Sequence, residues 1–520
     1  MLNTIAIDRR DEWPTNNASY AKGTVLSSGE FGNVKLAELR HPISEMNGSE
    51  TRKCVIKTIY LKRRLEKILG VFEGYDDDSL QQKHEEKIFR FIRRLILDLY
   101  ILNRCRHENI MHSHAVYLTG GDLQIVLPRF YVLEQLIEMY RLNHNAEPIP
   151  VLIIAKILRQ ICYALEYLQE MKIMHRDVQP ENIYLTRNGT VKLAHFGQAK
   201  ILLEIDSENV CKTPVGKETY MSFEKLHNLH NASSIDVCQS YSFPSDIWSL
   251  GVLVLSMVSY FPEEPFHKLP KDFALIMHNE NMPFQWLTVN MVQLRARLNR
   301  SGGELLKSFL SRKLLTVNIE DRETASSLPK TPEMRKWCLA NVEEDKLFLR
   351  KKFIDDLDFA NQCKIDTCVP NYDHLETKDI PPKFYWDDTW KELETREFSI
   401  KLQPSSFKAN SDLLLEQNFT LSNIRPLFIV LNSFIHHGII EWVDIIPLDF
   451  HIRELCYELV EKEKMHIKKN SANKNFTLEK VVELLGYPSA SDNSVTIYVS
   501  LLPRYRYASI SSEEFSDDCN

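Results

Sequence analysis

At 520 residues the chain is too long for one compact core, so two or three domains are expected, and a hydrophobic content of 44% is ordinary for globular protein able to bury them. A formal net charge of -7 argues against nucleic-acid binding, which needs a basic face to neutralise phosphates. Ten cysteines without paired spacing, apart from Cys363 and Cys368, read as reduced thiols; no run reaches the roughly 20 apolar residues of a membrane span, and the N-terminus MLNTIAIDRRDEW has no signal-peptide core, so an intracellular protein, cytoplasmic or nuclear, is expected.

Residues 1–19 read as a polar arm. From Gly23 to Leu39 apolar and polar residues alternate on either side of a glycine-bearing turn, the pattern of a β-hairpin. After a polar loop, Lys53 to Tyr60 reads as a buried strand with Lys57 at its centre. A lysine there needs an anionic partner, because burying an unpaired ammonium is unfavourable. Ile88, Ile92, Leu95, Leu99 and Leu102 recur at helical spacing and predict a helix from His84 to Cys105. Leu123 to Leu127 reads as another strand. Ile157, Leu158, Ile161, Leu165 and Leu168 place a long amphipathic helix over Ile154 to Met171. It runs into MHRDVQPENIYLTRNGTVKLAHFGQAK, Met174 to Lys200, where Ile183 to Leu185 and Val191 to Ala194 flank the turn Arg187-Asn188-Gly189 as a short hairpin. Leu250 to Val258 and Leu427 to Ile435 read as buried helix segments.

Within Met174 to Lys200, His175-Arg176-Asp177, then Asn182, then His195-Phe196-Gly197 across the hairpin resemble the catalytic loop and metal-binding loop of protein kinases. Other stretches follow in the family's order. Gly29, Gly32 and Val34 resemble the glycine-rich loop, with Phe31 at its tip and Ser27 in place of the first glycine. By that resemblance Lys57 bridges nucleotide phosphates and the helix carboxylate of Asp98, which stands where the family has glutamate. Pro128 to Phe130 is the hinge after Leu127, and Gln198 to Glu224 is the activation segment. Glu224 of Ser222-Phe223-Glu224 should pair with Arg322, and Asp246 of Asp246-Ile247-Trp248-Ser249-Leu250-Gly251 should bond backbone groups of the catalytic loop. The gap from Glu224 to Asp246 is longer than usual by about ten residues and reads as a surface insertion. The resemblance implies an α+β, bilobal kinase-like fold over residues 20–340, with a small β-rich N-lobe and a larger helical C-lobe.

Residues 341–510 resemble nothing familiar and read as a mostly helical region, with helix candidates at Pro426 to Trp442, Phe450 to Lys469 and Thr477 to Leu485; residues 511–520 form an acidic, disordered tail. Cys363 and Cys368 with His436 and His437 have a spacing that fits no tight zinc site.

The chemistry implied by the resemblance is broken at several points. Asp177 is in place to accept a hydroxyl proton and Asn182 to ligate one metal, but His195 stands where the family's carboxylate holds Mg2+, a hard cation that prefers anionic oxygen. Gln179 replaces a lysine that contacts the transferring phosphate. Lys217 replaces a threonine that bonds the catalytic aspartate, and its ammonium is expected to pair with Asp177 and block it. Val55 and Tyr184 add volume on the two faces of the adenine site, and overfilled sites cost about 1 to 3 kcal/mol. These departures, set beside intact structural pairs, point to a pseudokinase: a protein-binding or regulatory scaffold in signalling. The alternative is an active Ser/Thr protein kinase with Asp177 as base. ATP and Mg2+ are its cofactors in the second case, with no cofactor in the first; the partners are proteins or a protein substrate. Thr213, Thr219 and Tyr220 sit where the family is phosphorylated, with Arg176 as the phosphate's partner.

Overall fold

The computed structural model describes residues 13, 17–29, 32–40, 53–61, 63–64, 91–102, 105–119, 122–202, 211, 213–230, 240–258, 292–360, 398–404, 415–419, 440–447 and 494–501. They fall in two compact units, one of Met1–Arg104, Ser113–Pro128 and Val369–Asn520, the other of Cys105–His112 and Arg129–Cys368.

In the first unit β1 (Tyr20–Gly29), β2 (Gly32–Leu39), β3 (Lys53–Ile59), β4 (Ala115–Thr119) and β5 (Asp122–Pro128) form an antiparallel sheet in the order β1-β2-β3-β5-β4. The alternating hairpin pattern is realised as β1 and β2, which close with Gly29 opposite Gly32. Strand period places Cys54 and Ile56 on one face of β3, where they join Tyr20, Ala37, Leu39, Ala115, Tyr117 and Val126 in a core that Trp13 of the N-terminal arm helps to cover. Residues 91–102 are helical (α1), and Ile92, Leu95, Leu99 and Leu102 of the expected apolar stripe are buried. Ile88 lies outside the described residues.

The same unit contains a second sheet, of β11 (Phe398–Pro404), β12 (Leu415–Phe419), β13 (Ile440–Pro447) and β14 (Ser494–Leu501), in the order β12-β11-β14-β13 with β11 and β14 parallel. This corrects part of the helical reading of residues 341–510: 342–360 are helical as expected, but every segment described between 398 and 501 is a strand. The helix expected over Pro426 to Trp442 ends inside β13, and those expected at 450–469 and 477–485 lie outside the described residues, as do Cys363, Cys368, His436 and His437. The physical reason is visible in the chain itself. Phe398, Ile400 and Leu402 alternate with Ser399, Lys401 and Gln403, and Val495, Ile497 and Val499 alternate with Thr496, Tyr498 and Ser500, a period of two.

The second unit is mostly helical. After β6 (Tyr131–Val132) come α2 (Leu133–Asn143), α3 (Val151–Glu170), the short strands β7 (Ile173–Met174), β8 (Ile183–Leu185), β9 (Val191–Leu193) and β10 (Lys200–Ile201), then α4 (Phe223–His230) and α5 (Pro244–Val258). Helices Val292–Ser301, Gly303–Phe309 and Pro332–Trp337 (α6 to α8) precede α9 (Val342–Leu349) and α10 (Asp355–Ala360). Strands β6-β8-β9 form one small sheet and β7 pairs with β10. Helix α3 is buried along most of its length, polar residues included. Its Gln160 accepts from the Asn109 amide at 3.0 Å and from the Val191 N–H at 2.9 Å and donates to the Gly189 carbonyl at 3.2 Å, which ties the β8–β9 hairpin to the helix. Gly189, in the expected turn, has φ +84°, and a Cβ there would stand 2.0 Å from the Lys346 carbonyl oxygen of α9.

Helix α9 thus belongs to this unit, which runs past residue 340 to Cys368. Its Asp345, fully buried, pairs with Lys156 at 3.6 Å and with Arg159, while those two cations donate to the carbonyls of Trp337 and Leu339, each at 2.7 Å. Leu349, Phe353, Ile354 and Leu357 carry the apolar side of the same attachment. A five-stranded antiparallel sheet in the first unit and a mostly helical second unit are the α+β architecture expected.

Candidate active site

In the first unit the sheet register aligns the expected nucleotide-site residues. Ser27 is opposite Val34, Val34 opposite Lys57 and Lys57 opposite Ile125, so the four cross the sheet in one row on one face. Val55, two residues from Lys57, shares that face between Leu36 and Leu127. Gly32 has a packing reason to be glycine: a Cβ would stand 2.1 Å from the Thr58 carbonyl oxygen of β3. Gly29 closes the hairpin opposite it. Burial pushes the Lys57 ammonium below its ordinary pKa, the Asp98 carboxylate of α1 acts against that shift, and Arg64 adds to it. The lysine and the helix carboxylate are therefore brought within electrostatic reach, as the sequence pattern requires.

In the second unit the loop between β7 and β8 is clamped from its buried side. The N–H groups of His175 and Arg176 donate to the two oxygens of Asp246 at 3.0 and 2.9 Å, as expected of that aspartate. The His175 ring bonds the Ala194 carbonyl through Nε2 at 2.9 Å and accepts from the Asp177 N–H through Nδ1 at 3.2 Å, so the proton sits on Nε2. Glu224 and Arg322 form the expected fork, at 3.0 and 3.3 Å, both fully buried.

Asp177 itself is held on both oxygens. Oδ2 accepts from the Asn182 amide at 2.8 Å, and Oδ1 accepts from the Gln179 amide at 2.9 Å and the Lys217 N–H at 3.3 Å. The Asn182 amide donates also to the Asp177 carbonyl at 2.7 Å. The side-chain amide oxygen of Gln179, Oε1, is buried without a hydrogen-bond partner. The Lys217 ammonium does not pair with Asp177 as expected; it lies 2.7 Å from Glu181 Oε1. The pair sits at the surface, where the ammonium keeps part of its hydration, whereas both Asp177 oxygens are already taken.

His195 adopts the left-handed conformation, φ +65°, and its Nε2 lies 3.0 Å from the Tyr184 hydroxyl, the two rings edge to face. Tyr184 is buried and stacks on Phe130 with ring centres 4.3 Å apart. The residues that the resemblance expects at a metal position are thus an amide, Asn182, and an imidazole engaged by a phenol, a donor set that does not fit Mg2+. Among the described residues no group of three or more His, Cys, Asp or Glu side chains is placed to hold a metal ion.

Three residues escaped the sequence reading. Gly216 has φ +104°, and a Cβ there would lie 2.7 Å from the Arg176 carbonyl oxygen and 3.1 Å from Asp177 Oδ1, so only glycine lets this segment approach the catalytic loop; its place in Pro214-Val215-Gly216-Lys217 is a legible turn signal. Lys225 is 1% exposed and donates to the Arg176 carbonyl at 2.8 Å; burial pushes its pKa down to about 8, against the pull of Asp246 and other neighbouring carboxylates. Tyr241 is the third. It lies at the end of the expected surface insertion yet is buried. Of the expected phosphorylation positions, Thr213 is exposed while Thr219 and Tyr220 are buried.

Residues 78–333 match the family model described as protein kinase domain. The chain belongs to the protein kinase superfamily. It is 29% identical over 262 residues to the mouse (Mus musculus) serine/threonine-protein kinase PAK 4, covering 50% of this chain and 37% of that protein. To mitogen-activated protein kinase kinase 9 of Arabidopsis thaliana it is 30% identical over 190 residues, 36% of this chain and 56% of the relative. Germinal center kinase 3 of Caenorhabditis elegans is 25% identical over 284 residues, 52% of this chain and 44% of the relative. This chain therefore spans roughly a third to a little over half the length of these relatives. No helix of the described residues is long and apolar enough to cross a membrane.

Proposed function

We propose that this kinase-superfamily chain is a pseudokinase, an intracellular protein-binding or regulatory scaffold in signalling rather than a phosphotransferase. The observation that carries the reading is His195: at the position that needs an anionic oxygen for Mg2+ there is an imidazole, and the Tyr184 hydroxyl engages it. Gln179 in place of a cation and the Phe130–Tyr184 stack point the same way. Without metal, charge on a transferring phosphoryl group has no counterion in this loop.

A second reading, a Ser/Thr protein kinase acting on protein substrates with ATP, rests on a specific observation as well: Asp177 and Asn182 are hydrogen-bonded to each other, and Asp98 supports the charge on Lys57. In that reading Asp177 accepts the substrate hydroxyl's proton, and Asp177→Asn abolishes transfer.

The deciding experiment is thermal denaturation with ATP alone, Mg2+ alone and both. Saturation at about 100 times a dissociation constant adds roughly 2.7 kcal/mol of stability. The scaffold reading expects no shift that requires both components, and expects His195→Asp to create one; a joint shift in the native chain, with transfer lost in Asp177→Asn, would replace it with the enzyme.

A further inference from the structure

The Arg176 guanidinium is committed within the fold. It is 6% exposed, and it donates from Nε to the Gln198 carbonyl at 2.7 Å, from Nη2 to the Ala199 carbonyl at 3.4 Å and from Nη1 to the Tyr241 hydroxyl at 3.4 Å. The same hydroxyl donates to the Thr213 carbonyl. A phenol has one proton to give and lone pairs to receive with, so the chain Arg176 to Tyr241 to Thr213 satisfies both ends of it. Burial raises the Tyr241 pKa, with Arg176 opposing, which keeps the donor proton in place.

Backbone bonds reinforce the link. Cys211 and Tyr241 exchange N–H to carbonyl bonds in both directions, each 2.8 Å. Met174, Leu202, Cys211 and Tyr241 form one buried cluster with Phe243 against it, and the Lys225 ammonium lies 5.6 Å from the centre of the Tyr241 ring. Tyr241 is 1% exposed although it follows directly on the long connection after α4. The connection therefore returns a tyrosine to the underside of the segment that leads to Gly216 and Lys217.

We infer that Tyr241 is a built-in latch: by bridging the Arg176 guanidinium and the Thr213 carbonyl it fixes the segment from Thr213 to Tyr220 against the catalytic loop with no phosphate required. A charged group on the segment is unnecessary because the cation that would receive it already has two carbonyls and a phenol. The surface that includes exposed Thr213 is then presented constitutively, whether or not the chain transfers phosphate.

The test is hydrogen–deuterium exchange by mass spectrometry on the full chain, before and after phosphatase treatment, for native protein and Tyr241→Phe. The native chain should keep its protection over residues 213–220 after phosphatase. Tyr241→Phe, which deletes one oxygen, should speed exchange there by up to roughly tenfold while leaving peptides of α3 unchanged, the scale expected for losing a buried hydrogen bond. Loss of protection on phosphatase treatment alone would overturn the latch, as would unchanged exchange in Tyr241→Phe or acceleration equal to that in α3. Arg176→Lys, which keeps the charge but not the fork of donors, should loosen the same peptides and serves where Tyr241→Phe does not fold. Unchanged exchange in that variant would overturn the latch equally.

Discussion

The two sides of the catalytic loop differ in how far they keep to the kinase pattern. On the buried side Asp246 takes two backbone N–H groups, Glu224 forks with Arg322, and Gln160 ties down the hairpin, so the polar groups that the loop turns inward find partners. On the side that the resemblance assigns to phosphate and metal, His195, Gln179 and Lys217 stand where the family pattern expects a carboxylate, a lysine and a threonine. Removing a partner inside a fold leaves an unpaired buried group and is expensive, whereas changing a residue that would only have touched a ligand leaves the fold intact. The contrast teaches that this chain is constrained by the architecture of the loop more tightly than by its chemistry.

The sharpest way to break that contrast is to attack the buried side. Arg322→Met leaves Glu224 charged and enclosed, and the expected loss is about 3–5 kcal/mol in chemical denaturation. A loss below about 1 kcal/mol would mean that the pair does not carry the architecture, and the distinction between the two sides would fall with it.

How much of this was legible in the chain depends on the range of the interaction. Strands β1 to β3, the β8–β9 hairpin, α3 and the Glu224–Arg322 pair could be read because local alternation, helical spacing and motif order each specify them. In the sheet of β11 to β14 the alternation of Phe398 to Gln403 and of Val495 to Ser500 is local and legible, but the pairing is not: Ser399 pairs with Ser494 across nearly a hundred residues, and the Ile440–Pro447 run is short and apolar enough to fit a helix or a strand. At the site, positions were legible while orientations were not. The resemblance placed Lys217 beside Asp177, but whether its ammonium turns to Asp177 or to Glu181 depends on how many donors Asp177 already has. Tyr241 was hidden for another reason, since the length of an insertion does not say where its end returns.

Lys225 sharpens the comparison through pH. Its ammonium is buried between the loop and α5, and its folded pKa of about 8 lies below the ordinary lysine value of 10.5. Between these two values the unfolded chain binds the proton that the folded chain has released, so stability contributed through this residue rises with pH across that window and is flat below about 8. Native protein should therefore gain on Lys225→Met from pH 8 to 10 at up to about 1.4 kcal/mol per unit, read as the difference between two denaturation curves. Taking the difference removes Cys54, whose thiol is pushed up to about 12 and which acts in the opposite direction in both proteins. A constant difference would show that Lys225 holds its proton in the folded chain as it does in the unfolded one, and would remove it from the buried clamp.

The smallest effect belongs to the other side of the loop. Lys217 and Glu181 are paired at 2.7 Å, but their side chains are 36% and 40% exposed. An ion pair this wet gains little, because water and salt screen it and two long side chains lose rotamer freedom to make it. Lys217→Ala should therefore change stability by no more than about 1 kcal/mol, and that change should shrink as salt is raised. The Lys217 backbone N–H, which bonds Asp177, survives the substitution. A loss as large as that of Arg322→Met, insensitive to salt, would mean that the ammonium and not the backbone holds the segment to the loop, and the division between a fixed underside and a permissive outer side would have to be redrawn with Lys217 among the fixed residues.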